Sequence, residues 1–171
     1  MKRLCLSCGT LLCILTVSAG LFALDELSGS MKQILDRRAN DFASIRKEPF
    51  TVGDDTNYKS TLLVAGAMGC YITPVARSVY SDSCDIIETK DRATLTTKYK
   101  RYVKALHDAS PASWMSWTEN TAKPASEATY FGPDRSHPAA AVRWDLGGMN
   151  MDWYNLAVTF YASGYTMTKQ Q

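Results

Sequence analysis

The sequence predicts an α+β fold, a mainly antiparallel sheet of five to six strands with two helices packed on one face. Asp152–Ala162 alternates with the period of a strand that buries one face. Lys90–His107 has the apolar spacing of an amphipathic helix that would cover this face. Runs of neighbouring short strands favour one antiparallel sheet. The predicted order, α-βββ-α-βββ, leaves two small subdomains in tandem as the alternative.

Residues 1–23 have the layout of a secretory signal peptide, because Lys2 and Arg3 precede an uncharged run that reaches Ala23. Small residues offer cleavage after Ala19 or after Ala23. A run of this length could also stay as a membrane anchor, which is the alternative. With cleavage, we expect no stable membrane span and a periplasmic or secreted protein.

The remaining chain is then a single domain over residues 24–165, followed by a polar tail over 166–171. The leader holds two of the 19 basic residues and none of the 17 acidic residues, so 17 of each remain. This balance gives no support for nucleic acid as a partner.

Removal of the leader also takes away three of the five cysteines and leaves Cys70 and Cys84. An even pair in an oxidising compartment predicts a disulfide, and two buried thiols are the alternative. Closing a loop of this length would contribute about 3 kcal/mol to stability.

The first half is predicted to hold one helix and up to three strands. The helix follows the cap sequence Ser28–Ser30 and is stopped by Pro49. Its apolar stripe is Met31, Ile34, Leu35, Phe42 and Ile45. After a polar connector over 52–57, the predicted strands are Tyr58–Ala65, Cys70–Val75 and Arg77–Ile87. If the last two pair as a hairpin, Cys70 and Cys84 meet across it.

The second half is predicted to begin with Thr89 as the N-cap of the second helix, whose exposed face is a basic stripe. This stripe, Lys98, Lys100, Arg101 and Lys104, is interpreted as a solvated face, with a docking surface for anionic ligands as the alternative. A loop over 118–124 is followed by the predicted strands Ser126–Phe131, Ala139–Leu146 and Asp152–Ala162.

Catalytic chemistry has little support in the sequence. There is no metal-binding or phosphate-binding motif and no nucleophile elbow, so no catalytic residue, metal or cofactor is predicted. His107 would act as a cation at a helix C-terminus. The loop Asp134–His137 contains a Ser, a His and an Asp, which makes a secreted hydrolase the alternative function.

Aromatic residues are concentrated in the second half, which contains all four tryptophans. Most would fill the core, but Trp and Tyr also anchor interfaces. The face of the last strand opposite its apolar side is therefore the candidate binding surface, with Trp153, Asn155, Thr159 and Tyr161. The leading hypothesis is a small exported, non-catalytic binding protein of the inhibitor, immunity or envelope-accessory type. Its partner would be another protein or a small envelope ligand.

Overall fold

The computed structural model describes residues 24–76, 79–122, 125–147 and 152–167, and these form an α+β fold. The predicted signal peptide lies outside the described residues, as do residues 168–171 of the predicted tail. All eight strands belong to one antiparallel sheet, so the fold class is confirmed but the predicted count of five to six strands is too low. No helix among the described residues is long and apolar enough to cross a membrane.

Within the described ranges, two helices and two short 3-10 turns accompany the sheet. Helix α1 covers residues 24–35, α2 is Arg92–Ala109, and the 3-10 turns are Arg38–Asn40 and Ala43–Ile45. The strands are β1 (Arg46–Val52), β2 (Asp55–Ser60), β3 (Gly69–Ala76), β4 (Val79–Thr89), β5 (Met115–Ala122), β6 (Ala125–Gly132), β7 (Ala140–Leu146) and β8 (Tyr154–Tyr161).

The strand order β1-β2-β3-β4-β8-β7-β6-β5 shows two halves, each a helix followed by a four-stranded meander. The last strands of the halves, β4 and β8, pair antiparallel in the middle of the sheet, from Ser81 opposite Tyr161 to Thr89 opposite Tyr154. The repeat of element order in the sequence therefore corresponds to two halves of one continuous sheet.

A single core lies between one face of the sheet and the two helices. Helix α2 packs across β4, β8, β7 and β6, and its buried residues include Leu95, Tyr102 and Leu106. The sheet contributes Leu156, Val158 and Phe160 of β8 to the same core, as their alternation predicts.

The loop between β2 and β3 connects the two helices through hydrogen bonds to the backbone of Ala65. The Tyr102 hydroxyl donates to the Ala65 carbonyl at 2.9 Å, and the Ala65 N–H donates to the Ser30 hydroxyl at 3.0 Å. Gly66 has a φ of 81° and lies so near Tyr102 that a Cβ would be 2.9 Å from its hydroxyl. Glycine suits this position on both counts.

The first predicted helix is displaced and too long, because the predicted cap sequence Ser28–Ser30 already lies inside α1. Helix α1 ends at residue 35, and the chain then makes turns in which Asp41 and Phe42 both have positive φ. Phe42 and Ile45 are buried as predicted, but from turns. Pro49 does not stop a helix, because it lies in β1, an edge strand where a missing N–H is tolerated.

Three further boundaries differ from prediction. The N-cap of α2 is Asp91, whose carboxylate accepts the Ala93 N–H at 2.9 Å, whereas Thr89 is the last residue of β4. The predicted loop over 118–124 is largely the strand β5, which forms the other edge of the sheet. The predicted strand Tyr58–Ala65 is displaced, since β2 ends at Ser60.

Candidate functional site

The sheet face that points away from α1 and α2 is called the open face here, and it is defined by one row of side chains across six strands. Successive cross-strand partners from β3 to β5 form this row: Tyr71, Ser83, Thr159, Ala141, Tyr130 and Trp117. Tyr71 is exposed, Ser83, Thr159 and Tyr130 are half-buried, and Ala141 and Trp117 are buried. The open face is thus accessible to water at Tyr71, partly accessible at Ser83, Thr159 and Tyr130, and has small residues at its centre with aromatic rings on both sides.

Hydroxyl groups occupy the centre of the open face. Ser83 and Thr159 share a hydrogen bond of 3.0 Å across the pairing of β4 with β8. Thr73 and Ser81 share another of 3.3 Å across β3 and β4. Since each hydroxyl has one donor and two acceptor positions, these pairs keep spare capacity for a bound partner.

Aromatic pairs flank this centre on both sides. On the β5 side, Trp117 and Tyr130 stack with ring centroids 5.4 Å apart. At the end of β8, Tyr161 stacks on Tyr165 at 4.4 Å. On the β3 side, Tyr71 makes an edge contact with a ring of β1, Phe50, at 5.8 Å.

The phenols of Tyr161 and Tyr130 are neutral donors. Burial raises the pKa of the Tyr161 hydroxyl above its ordinary value, and the nearby phenols of Tyr130 and Tyr165 add to this shift. Burial is also the main cause of the raised pKa of the Tyr130 hydroxyl. Both groups therefore stay protonated at neutral pH and can donate hydrogen bonds.

The neighbouring row of the open face alternates charge with alanine. It reads Asp85, Ala157, Arg143, Ala128 and Glu119 from β4 to β5. The Arg143 guanidinium lies 3.4 Å from the Asp145 carboxylate. Partial burial raises the pKa of the Asp85 carboxyl. Three carboxylates against one guanidinium give this part of the surface an acidic character.

The structure places three of the four candidate binding residues on the open face. Thr159 and Tyr161 lie in the hydroxyl and aromatic groups described above, and the Asn155 amide is 3.5 Å from the Asp145 carboxylate. Trp153 precedes β8 and is half-buried, with the Lys90 ammonium 5.4 Å from its ring centroid. It lies at the opposite end of β8 from Tyr161.

Sequence reasoning missed Tyr71, Tyr130 and Trp117 as members of this surface. Each belongs to a different strand, so only the register between strands brings them into one row with Thr159. The adjacent aromatics Tyr130 and Phe131 in β6 are a usable signal for Tyr130, because neighbours in a strand face opposite sides of the sheet. Trp117 gave no such signal, because its strand was interpreted as a loop from residue 118 onward.

The predicted disulfide between Cys70 and Cys84 is confirmed. The two residues face each other across β3 and β4, with Cα atoms 4.0 Å apart, and both are buried. The fully buried carboxylate of Asp82 lies close to both sulfurs, within the distance at which three ligands could share a metal ion. The sulfurs are bonded to each other, so they are not available as thiolate ligands.

The loop Asp134–His137 forms a turn held by the Asp134 carboxylate. This carboxylate accepts the N–H groups of Ser136 and His137 at 2.8 and 3.0 Å, and its oxygens lie 2.9 and 3.0 Å from the His137 Nδ1. These bonds lower the pKa of the Asp134 carboxyl, and its contact with His137 is the largest cause. A hydrolase also needs a nucleophile and an oxyanion donor, so the hydrolase alternative stays a prediction.

His107 lies in the last turn of α2, as the sequence predicts for a capping role. Its backbone carbonyl accepts the Ser110 N–H at 3.2 Å, and its ring Nδ1 is 3.4 Å from the Asp108 carboxylate. The side chain is exposed.

Comparison with protein-family models, with curated proteins and with solved structures finds no significant match for this chain.

Proposed function

We propose that this chain is an exported, non-catalytic binding protein that docks onto another protein through the open face. The observation that carries the proposal is the row from Tyr71 to Trp117, in which hydroxyl groups lie between aromatic rings. Tyr, Trp and Ser are the residues that antibody combining sites favour, because they give large contact areas and adaptable hydrogen bonds at low entropic cost.

The breadth of this surface favours a protein over a small envelope ligand as the partner. Small ligands bind in concave pockets that enclose most of their surface. The open face instead extends across six strands, with its aromatic rings at the two sides. Asp85, Glu119 and Asp145 favour a partner with a basic contact surface, since charge complementarity sets orientation and the rate of association.

Export is part of the proposal. The buried disulfide between Cys70 and Cys84 is compatible with folding in an oxidising compartment. An inhibitor, an immunity protein or an envelope accessory protein would all act by such contact without chemistry of their own.

The proposal is tested by affinity capture from the native envelope fraction with three matched baits. These are the wild-type protein, the open-face variant Thr159→Arg, and the variant Lys98→Glu, whose change lies on α2 on the other side of the sheet. We expect the same partner with wild type and Lys98→Glu and its loss with Thr159→Arg. Circular dichroism checks that all three baits are folded. Recovery of the partner by Thr159→Arg, or of no partner by wild type, would refute the proposal.

A further inference from the structure

A cleft of about 290 Å³ lies between α2 and the helix-side face of β5 and β6. It exists because α2 packs across β4, β8, β7 and β6 and leaves the edge strand β5 without a helix above it. Helix α2 contributes Lys100, Val103 and His107 to its lining, and the strands contribute Ser116, Thr129 and Phe131. It is on the other side of the sheet from the open face.

The inner part of the cleft is apolar, and its polar atoms are already paired. Phe131 and the Val103 side chain give it an apolar surface. The Tyr99 hydroxyl bonds the Thr129 hydroxyl at 2.7 Å, and Thr129 in turn bonds the Thr118 hydroxyl at 2.9 Å. The apolar part of a ligand can therefore enter without stranding a buried polar group.

The rim of the cleft is basic. The Lys104 ammonium lies 2.7 Å from the Asp108 carboxylate, which partly neutralises its charge, and the His107 ring Nδ1 lies 3.4 Å from the same carboxylate. Within the part of the chain that the structure describes, Lys100 has no such ion pair. An anionic group placed at this rim would gain a partner in Lys100.

The cleft continues into a second one of about 260 Å³, which shares His107, Ser116 and Phe131 with the first and reaches Trp114. The two form a groove along α2, and from Tyr99 to His107 this helix rises about 12 Å. A groove is longer than it is wide, so it suits an extended chain better than a compact ring system.

We propose that this groove binds a medium-chain aliphatic carboxylate, with the carboxylate at Lys100 and the chain along Val103 and Phe131 towards Trp114. The site is independent of the proposed contact through the open face, so either proposal can fail alone. The proposal assigns an aliphatic carboxylate to Lys100, which is one lysine of the basic stripe of α2.

The test is calorimetric titration of the disulfide-intact exported protein with octanoate, octanol and octylammonium, which share a chain and differ in head-group charge. We expect saturable binding of octanoate with a Kd on the order of 1 mM or below, as for weak small ligands. We expect weaker binding of octanol and none of octylammonium. No saturation with octanoate, or equal binding of octylammonium, would overturn the proposal.

Two pairs of variants locate the site. Ser116→Trp places a large ring in the groove and should abolish octanoate binding, whereas Asn120→Trp, on the same face of the same edge strand, should leave the Kd within about twofold. Lys100→Ala should weaken binding by up to about fivefold, as expected for an exposed ion pair, and Lys98→Ala should not. Unchanged binding by Ser116→Trp would place octanoate elsewhere and refute the assignment.

Discussion

The Ser60 hydroxyl donates a hydrogen bond of 2.9 Å to the Asp82 carboxylate, and both side chains are buried in the core of an otherwise apolar sheet face. The second carboxylate oxygen of Asp82 has no hydrogen-bond partner among the described residues. Burial raises the pKa of the Asp82 carboxyl to about 7, and the bond from Ser60 offsets this shift only in part. The Asp82 carboxyl thus gains or loses its proton near neutral pH, although it lies in the core.

The free energy of unfolding should fall as the pH rises from about 4 to about 7. Asp82→Asn should abolish the part of this pH dependence that Asp82 causes. The folded state keeps a proton that the unfolded state releases above about pH 4, so the unfolded state gains relative stability until the folded carboxyl also ionises. At pH 8 the variant should be more stable than wild type by on the order of 3 kcal/mol. Urea unfolding of both proteins at pH 5 and pH 8 measures this difference. Equal pH dependence in the two proteins would contradict the raised pKa.

Removal of the disulfide by the double change Cys70→Ala and Cys84→Ala should lower the free energy of unfolding by about 3 kcal/mol. The two cysteines are 14 residues apart, and the cross-link limits the entropy of the unfolded chain. Urea unfolding with and without a dithiol reductant checks this. The reductant should lower the stability of wild type to that of the variant and leave the variant unchanged. A variant as stable as wild type would argue against a stabilising disulfide.

Two glycine substitutions should have opposite effects. Gly66→Ala should destabilise by about 1–2 kcal/mol, because Gly66 has positive φ and its new Cβ would crowd the Tyr102 hydroxyl. Gly29→Ala lies in helix α1, where a Cβ meets nothing within 4 Å, and should stabilise by up to about 1 kcal/mol. Thermal unfolding of both variants gives the two signs. Stabilisation by Gly66→Ala would mean that the loop tolerates a side chain there.

Once a partner is captured, Tyr71→Ala should weaken its binding by tenfold or more, because aromatic anchors at an interface cost about 2 kcal/mol or more when truncated. Tyr71 is 37% exposed and its ring contacts Phe50, so the free energy of unfolding should fall by about 1 kcal/mol, which leaves the protein folded. Lys98→Ala on the helix side is the matched control. Calorimetric Kd values of the three proteins give the comparison, and equal values for wild type and Tyr71→Ala would exclude this side of the open face from the contact.

The strands that the sequence predicts and those that it misses differ in position within the sheet. The sequence predicts β8 because the apolar Leu156, Val158 and Phe160 occupy every second position. The residues between them are half-buried in the structure. The two missed strands, β1 and β5, are the edges of the sheet. β1 is largely exposed and contains Pro49, and the helix-side positions of β5 are the exposed Ser116, Thr118 and Asn120. A strand with few buried positions, such as β5 with the buried Trp117 among exposed neighbours, carries little alternation of hydrophobicity.

The helix error has another cause. Phe42 and Ile45 lie three residues apart, a spacing that 3-10 turns and α-helices share, so both structures bury them on the same side. Helix α1 already ends at residue 35, and the left-handed backbone at Asp41 and Phe42 excludes a helix through Ile45, a conformation that residue type alone does not predict for a phenylalanine. The candidate site shows the same limit, because alternation located Thr159 and Tyr161 but not their neighbours in adjacent strands.

The pairing of β4 with β8 has a consequence for the order of folding. The hydroxyls of Ser83 and Thr159 bond across a separation of 76 residues, whereas the hairpins on each side close locally. Long-range pairing is slow because the loop must close first. Until β8 arrives, both β4 and β7 present unpaired edges that can recruit other chains. The centre of the sheet, its best-protected part after folding, is thus exposed to aggregation for longest while the chain folds.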